Sequence, residues 1–433
     1  MRRNGLWLWF LAVGVLLGGA ASATAQAPAG AVDRSIDCAE LPGVSLAEVH
    51  RSGEIVVSNT DVDQYLPDVA YCSNHSEYLV VWHNVWPVES RDIRGARIGQ
   101  YGQVLDTFVI SEGLHDRAQP SVAYDPASQR YLVVYAVDAF GDGSDWDIYG
   151  RFIPWDGPEA ATIEFPIVTW ETKQWNPKVV YGSTQNEFMV VWWTEHPSVP
   201  AYTSGRRVAA AGGFPDNAFT IAVDGSENRV NPDIAYNVAR NEYLVVTDNG
   251  VDVFGTRLRG DGQSLGGGEF GIAGWPSTES HPSVAACRAA DTYLVGWQSL
   301  EGADYNIFAR YVDGDGTPQS VHQIDATTGD EIAVDVSANH AGTQFMLAWQ
   351  TLYASDKYGI WARTASTQAE LGEQFVVVHA TNSRDRTAPA VAGGHSGYMT
   401  VWEHDREVSG QQDIHGLLTS PHALQVPLVF RNR

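Results

Sequence analysis

An acidic, glycine-rich segment is the strongest candidate for metal chemistry in this sequence. Residues 138–147 read Asp-Ala-Phe-Gly-Asp-Gly-Ser-Asp-Trp-Asp, which places Asp138, Asp142 and Asp145 among small residues. Carboxylate oxygens are the ligands that Ca²⁺ prefers. The spacing does not match a complete EF-hand loop, so a solvated acidic loop is the alternative interpretation. Calcium at these three aspartates is therefore left open, and the sequence predicts no other cofactor.

Six tryptophans that fall in predicted loops form the second candidate site. Flat aromatic rings with acidic and amide groups beside them can stack on sugar rings. The alternative is that these rings pack beneath their own loops, which is the ordinary role of a large apolar side chain. The residues concerned are Trp86, Trp146, Trp170, Trp175, Trp193 and Trp275.

A catalytic site is supported only by three aspartates. The sialidase-type aspartate box is absent, and the histidines show no spacing that would gather them into one site. Asp68, Asp233 and Asp335 do occupy matching positions in the sequence. Converging carboxylates would suit a hydrolase or lyase that acts on polysaccharide. The interpretation that we favour is that these residues are the polar ends of strands, and no catalytic residue is assigned.

A repeat of 50–57 residues organises the chain and must position these groups. Each repeat contains an anchor residue, and in six of the seven repeats an aromatic residue or threonine follows the anchor after 15 positions. The interval is 13 positions in the last repeat, which ends at Trp402. The anchors are Pro67, Pro120, Pro177, Pro232, Pro282, Val334 and Pro389.

Each repeat is predicted to form four antiparallel strands. Runs such as Tyr131-Leu-Val-Val-Tyr135 are rich in β-branched and aromatic residues, and Asp-Gly pairs mark tight hairpins between them. Units of this kind are the blades of a propeller, so the sequence predicts an all-β, seven-bladed β-propeller of four-stranded antiparallel blades. Small residues three positions after the anchor (Ala70, for example) fit the crowded innermost strand. The tryptophans that end the second strands are predicted to pack between blades.

Two segments compete to complete the last blade. Glu54–Ser58 resembles a fourth strand and precedes the first repeat, whereas Gln425–Phe430 follows the last one. Pro427 could not donate a hydrogen bond in a ladder, so we expect the N-terminal strand to close the ring.

The termini and the composition define the compartment. A cleaved signal peptide over 1–27 is predicted by Arg2 and Arg3, the apolar run that follows them, and the small residues Ala23-Thr-Ala25 at its end. The rest of the chain is divided into an N-terminal lead over 28–53, the propeller over 54–420 and a C-terminal tail over 421–433. The chain is therefore expected to be secreted or held at the cell surface, without membrane insertion. The net charge of −25 argues against nucleic-acid binding.

The three cysteines allow at most one internal disulfide. Cys72 and Cys287 fall in the first and fifth repeats, which are too far apart in a seven-bladed ring to be bridged. Cys38, in the N-terminal lead, could reach Cys72.

The repeat is similar to one found in known proteins. Pro120-Ser-Val-Ala-Tyr124, Tyr131-Leu-Val-Val134, Asp147-Ile-Tyr-Gly-Arg151, the Asp-Gly turns and the Phe-x-Ile ending together resemble a propeller-type repeat of large bacterial secreted proteins, which often carry calcium-binding or adhesion-like modules. The resemblance covers residues 54–420 and implies a propeller in an extracellular setting. It implies no activity.

Three functions are compatible with the sequence. The first is a monomeric, non-catalytic binding propeller that recognises an extracellular glycan or protein through its variable loops, which lie on a rigid scaffold. The second is the polysaccharide hydrolase or lyase with carboxylates near the axis. The third is a structural spacer outside the cell.

Overall fold

The structure is a computed structural model, and it describes residues 50–86, 90–158, 162–274, 276–325, 327, 329–353, 357–380, 384–395, 397–406 and 411–420. The described residues belong to one compact unit, 47–433. The predicted signal peptide, the C-terminal tail with Gln425–Phe430, and Cys38 lie outside the described residues. No helix long and apolar enough to span a membrane occurs in the part of the chain described.

The described chain forms a seven-bladed β-propeller of four-stranded antiparallel blades and contains no helix, which confirms the predicted fold class. In blades 1–6 the four strands are adjacent to one another in chain order, with the first strand of each repeat innermost. Blades 1–3 comprise β3 Asp63–Cys72, β4 Glu77–Val85, β5 Arg91–Gly99 and β6 Val104–Ser111; β7 Arg117–Asp125, β8 Arg130–Asp138, β9 Trp146–Pro154 and β10 Phe165–Val168; and β11 Lys173–Gly182, β12 Glu187–Glu195, β13 Tyr202–Ala209 and β14 Phe219–Ala222.

The remaining blades repeat this order. Blades 4–6 comprise β15 Val230–Asn237, β16 Glu242–Asp248, β17 Val253–Arg259 and β18 Ser264–Ala273; β19 Thr278–Cys287, β20 Thr292–Glu301, β21 Asp304–Asp313 and β22 Pro318–Asp325; and β23 Glu331–Ala338, β24 Gln344–Tyr353, β25 Lys357–Ser366 and β26 Leu371–Val378. Blade 7 takes its three inner strands from the end of the chain, β27 Arg386–Gly393, β28 Tyr398–Asp405 and β29 Gln412–Ser420.

The N-terminal segment closes the ring, as predicted. Its strands β1 His50–Arg51 and β2 Ile55–Ser58 both pair antiparallel with β29, with Ile55 opposite Gly416 and Arg51 opposite Thr419. Pairing thus begins four residues before Glu54, where the sequence pattern placed the start of the propeller. The first and last blades are joined by backbone hydrogen bonds, which removes two exposed sheet edges.

Every innermost strand has a bulge at the same place in the repeat. The residue before each anchor has a positive φ of 48–55°, and the strand register shifts there. A bulge bends a strand and increases its twist, which suits the crowded axis of a propeller. The residues are Leu66, Gln119, Asn176, Asn231, His281, Ala333 and Ala388.

Side chains from neighbouring blades cap several of these bulges. The amide of Ala388 donates to Oε1 of Gln350 in the preceding blade at 2.9 Å, and the amide of Ala333 donates to Oε1 of Gln298 at 3.1 Å. Glu403 of blade 7 accepts from the amide of Leu66 in blade 1 at 2.8 Å. A buried amide needs such a partner. Gln298, Gln350 and Glu403 each follow the large aromatic residue of a second strand, and each therefore links its own blade to the next.

Replacing Gln350 by leucine is expected to lower the free energy of unfolding by about 1–3 kcal/mol, because the amide of Ala388 loses its buried acceptor. Chemical denaturation of the variant measures this. The matched control is Gln323→Leu on the exposed part of β22, which we expect to change the stability by less than about 0.5 kcal/mol. Equal effects of the two substitutions would show that the cap contributes nothing.

Apolar side chains fill the spaces between blades. The large aromatic residues of the second strands are all 0–2% exposed, which confirms their predicted packing role. They are Trp82, Tyr135, Trp192, Trp297, Trp349 and Trp402. The small first-strand residues are also buried, at 5–8% exposure: Ala70, Ala123, Ala235, Ala285 and Ala392. Cys72 and Cys287 are both buried and are not bridged to each other, as expected from their positions in blades 1 and 5.

Candidate functional site

One face of the propeller carries most of the exposed apolar side chains found in loops. We call it the loop face; it consists of the loops between the second and third strands of each blade and the links between blades. In the described parts of these loops six large apolar residues are exposed, with Leu114 at 96% and Phe140 at 70%: Trp86, Leu114, Phe140, Val199, Val223 and Val251. The opposite face, among the described residues, exposes Tyr101 and Ile163 in its turns.

The loops of blades 1 and 2 are tied together by Asp116. Its carboxylate accepts a hydrogen bond from the amide of Arg91 at 3.0 Å and forms an ion pair with that guanidinium at 3.2 Å. Its carbonyl accepts from the amide of Asp138 at 2.9 Å. Trp86, Leu114 and Phe140 therefore lie on three neighbouring loops that are fixed to one another. Rigid support of this kind reduces the entropy lost on binding.

Trp86 is the most exposed of the predicted tryptophans that the structure describes. The residue is 38% exposed, and its indole nitrogen donates to Oδ2 of Asp92 at 2.9 Å. Asp92 is in turn held by Arg94, whose guanidinium lies 2.6 Å from the same oxygen. The ring is thus oriented by the third strand of blade 1 while part of its surface faces solvent.

Four of the other predicted tryptophans pack in the core between blades 2 and 3. Trp146 is fully buried and stacks on Trp175 with 4.9 Å between ring centroids. Trp170 packs edge-on against Trp192 at 5.9 Å, and Trp193 lies against the same cluster. Burial of Trp146 and Trp175 leaves no ring face for a sugar, so their role in this conformation is packing. Trp275 lies outside the described residues.

The carboxylate oxygens of the three predicted calcium ligands do not all lie within 4.8 Å of one another. Asp138 is buried, and its two carboxylate oxygens accept hydrogen bonds from the amides of Gly141 and Gly143 at 3.0 and 2.7 Å. Asp142 is exposed and accepts from the amide of Ser144, whereas burial and the charge of Asp138 raise the pKa of Asp145. Asp138 thus stabilises its own loop, and calcium binding here stays a hypothesis.

The three matching aspartates link consecutive blades through hydrogen bonds near the axis. Asp68 accepts from the amide of Val122 in the next blade at 2.9 Å, and Asp233 accepts from the amide of Val284 at 2.7 Å. Asp335 of blade 6 accepts from Val391 of blade 7 at 2.7 Å. These bonds give all three carboxylates a structural role.

A lysine from blade 3 completes this axial group. Burial lowers the pKa of Lys178, but the charges of Asp233, Asp68 and Asp335 outweigh burial and raise it. Burial raises the pKa of Asp335 to about 7, although Lys178 opposes the change. One ammonium therefore lies near three carboxyl groups, and burial favours the protonated form of Asp335.

Ser283 explains where that proton lies. Its hydroxyl oxygen is 3.0 Å from Oδ2 of Asp233 and 3.0 Å from Oδ1 of Asp335, and the amide of Val336 donates to it at 3.1 Å. A hydroxyl has one proton and can accept two hydrogen bonds. All contacts are satisfied when Ser283 donates to Asp233 and a protonated Asp335 donates to Ser283.

One group of three side chains within the described residues has the donor atoms and the spacing to hold a metal ion: Glu54, His404 and His415. Oε1 of Glu54 lies 2.7 Å from Nδ1 of His415 and 3.3 Å from Nδ1 of His404. The two imidazoles stack with 3.9 Å between their centroids and hold the pKa of the Glu54 carboxyl well below its usual value. Sequence spacing could not reveal this group because Glu54 is 350 or more residues away from its partners.

A further motif, Gly262-Gln263-Ser264-Leu265-Gly266, has the Gly-x-Ser-x-Gly spacing of a nucleophile elbow. The structure places it at a turn followed by β18, with Ser264 exposed and its hydroxyl 3.4 Å from the carbonyl of Leu265. A nucleophile elbow joins a strand to a helix, so this segment is a hairpin turn and not a catalytic serine site.

Comparison with known proteins gives matches among solved structures alone. No known protein-family model matches the chain, and no curated protein matches it. Among solved structures, the chain is similar to the β-propeller domain of Cps50 (Swd1) from Myceliophteria thermophila, with 9% identity, a TM-score of 0.49, and coverage of 81% of this chain and 95% of that one. The Dos1 propeller matches at 9% identity and a TM-score of 0.49 over 86% and 95% of the two chains. The NanB sialidase of Streptococcus pneumoniae matches at 10% identity and a TM-score of 0.47 over 86% and 70%.

Proposed function

We propose that this chain is an extracellular binding propeller that recognises its partner through the loop face of blades 1 and 2. The observation that carries the proposal is the exposure of Trp86, Leu114 and Phe140 on loops that Asp116 ties together. Exposed apolar groups on a rigid, polar-rimmed surface are characteristic of an interaction site. The glycan version of the proposal rests on the two aromatic rings and on the acidic groups beside them.

Acidic side chains near these rings suit hydroxyl groups. Glu112 is 66% exposed at its side chain, and Asp142 lies exposed in the loop that follows Phe140. An ionised carboxylate accepts hydrogen bonds only, and a sugar hydroxyl donates one. A sugar ring stacked on Trp86 or Phe140 would therefore find acceptors at its rim.

The substitutions Trp86→Ala and Phe140→Ala are expected to reduce glycan binding at least about tenfold each, which corresponds to the loss of about 1.4 kcal/mol of stacking free energy. A glycan array with the protein identifies the ligand, and titration calorimetry with that ligand measures the variants. Tyr101→Ala is the matched control, because Tyr101 is 70% exposed on the opposite face.

Two results would contradict the proposal. Absence of binding to every glycan and cell-surface preparation would overturn the glycan version. A loss of binding in Tyr101→Ala, with Trp86→Ala and Phe140→Ala unchanged, would assign recognition to the opposite face.

A further inference from the structure

The closing segment meets blade 7 at a compact cluster of metal-ligating side chains. Glu54 stands one residue before β2, His404 lies in β28, and His415 lies in β29 opposite Val56. Their ligand-type atoms all lie within 4.8 Å of one another. Three separate chain segments therefore bring two imidazoles and one carboxylate to a single point.

Hydrogen bonding alone leaves one of these groups unsatisfied. Nδ1 of His415 lies 2.7 Å from Oε1 of Glu54, whereas Nδ1 of His404 is 3.3 Å from the same oxygen and forms no well-aligned hydrogen bond to any described residue. The side chain of His404 is only 5% exposed. A buried polar atom without a partner is costly, and such atoms are uncommon in native proteins.

We propose that Glu54, His404 and His415 bind one divalent transition-metal ion, Zn²⁺ by its chemistry, at the point where the ring closes. Two imidazoles and a carboxylate form a ligand set that zinc takes, with a fourth position left for water or another ligand. Calcium is excluded here because it requires six to eight oxygen ligands.

The distances fit such an ion after a small rearrangement. Metal–ligand bonds of about 2.0–2.1 Å in tetrahedral geometry separate the ligand atoms by about 3.3 Å. The two nitrogen–oxygen distances of 2.7 and 3.3 Å are close to this value. The imidazoles must turn out of their parallel stack so that both Nδ1 lone pairs point at the ion, and each ring then keeps its proton on Nε2.

Arg384 opposes this change. Its Nη1 lies 3.3 Å from Nε2 of His404. A guanidinium only donates hydrogen bonds, so this contact places the proton of His404 on Nδ1, the nitrogen that must be free to bind the ion. Arg384 therefore has to move when the metal binds, and its removal should strengthen binding.

Direct titration tests the site. Protein without a polyhistidine tag, stripped with a chelator, is titrated with ZnCl₂ in a calorimeter and then melted with and without zinc. We expect the protein to bind one Zn²⁺ per chain. The melting temperature should be higher with zinc, because a ligand that binds the folded state stabilises it. The Arg384→Ala variant should bind zinc more tightly than the wild type. His415→Ala should abolish the binding, and His196→Ala, a histidine in a blade 3 loop, should leave it unchanged.

Glu54→Gln separates metal binding from folding. Its amide oxygen can still accept from His415, so the metal-free variant should melt near the wild-type temperature while zinc affinity falls at least tenfold. Failure of the wild-type protein to bind zinc stoichiometrically, or equal binding by wild type, Glu54→Gln and His415→Ala, would overturn the proposal. Either result would leave the proposed glycan recognition at the loop face untouched.

Discussion

Substitution of Val57 by aspartate is expected to lower the melting temperature by about 5–10 °C, since a buried, unpaired carboxylate and a lost apolar contact together cost about 4–5 kcal/mol. Val57 is 2% exposed and packs with Ile55 between blade 7 and blade 1. The damage falls on the strand that joins the ends of the ring, so neighbouring contacts on both sides weaken with it.

The same strand supplies the control. Val56 is 46% exposed, so Val56→Asp introduces the same charge one residue away without burying it. We expect this variant to melt within about 1–2 °C of the wild type, as surface substitutions usually do. Thermal unfolding followed by circular dichroism compares the two. Similar melting temperatures for both variants would mean that β2 does not hold the ring closed in solution.

The stability of Asp335 variants is expected to depend on the replacement: alanine should destabilise the protein, whereas asparagine should not at pH 5. Asp335→Ala removes the acceptor of the Val391 amide and a partner of Ser283, so it should lower the free energy of unfolding by about 2–4 kcal/mol. Asp335→Asn reproduces the protonated acid: its carbonyl oxygen can accept from Val391, and its amide can donate to Ser283. This variant should be about as stable as the wild type at pH 5.

The pH dependence follows from the raised pKa of Asp335. Burial raises it from 3.8 to about 7, so between these pH values the folded protein holds a proton that the unfolded chain has released. The contribution of Asp335 to the free energy of unfolding of the wild type therefore falls as the pH rises from about 4 to 7. Asparagine does not titrate, so Asp335→Asn, about as stable as the wild type at pH 5, should become more stable than the wild type at pH 8, by up to about 3 kcal/mol.

Denaturant titrations of wild type, Asp335→Asn and Asp335→Ala at pH 5, 6.5 and 8 check this. Other acids with raised pKa, such as Glu331 and Asp147, titrate equally in all three proteins and cancel in the differences. A stability difference between wild type and Asp335→Asn that does not change with pH would show that Asp335 keeps one protonation state over this range.

The candidate site was only partly accessible to sequence reasoning. The position of Trp86 in a variable loop predicted its exposure, but the same argument placed Trp146 and Trp175 in loops, whereas they are buried between blades 2 and 3. A loop tryptophan is exposed or buried according to how the adjacent loop covers it. Nothing in the sequence marks Leu114 and Phe140 as binding residues, because an apolar residue in a loop indicates a binding surface only when it is known to be exposed.

The sequence by itself determined the local and periodic features of this protein. Strand-forming runs, Asp-Gly turns and anchors repeated every 50–57 residues specify blades one at a time, since each blade is built from contacts close in sequence. The tertiary structure decided the contacts between distant segments: the linking of blades by Asp68, Asp233 and Asp335, and the meeting of Glu54 with His404 and His415. Ring closure brings residues 350 or more positions apart into hydrogen-bond distance, and no periodicity along the chain records which side chains will then face one another.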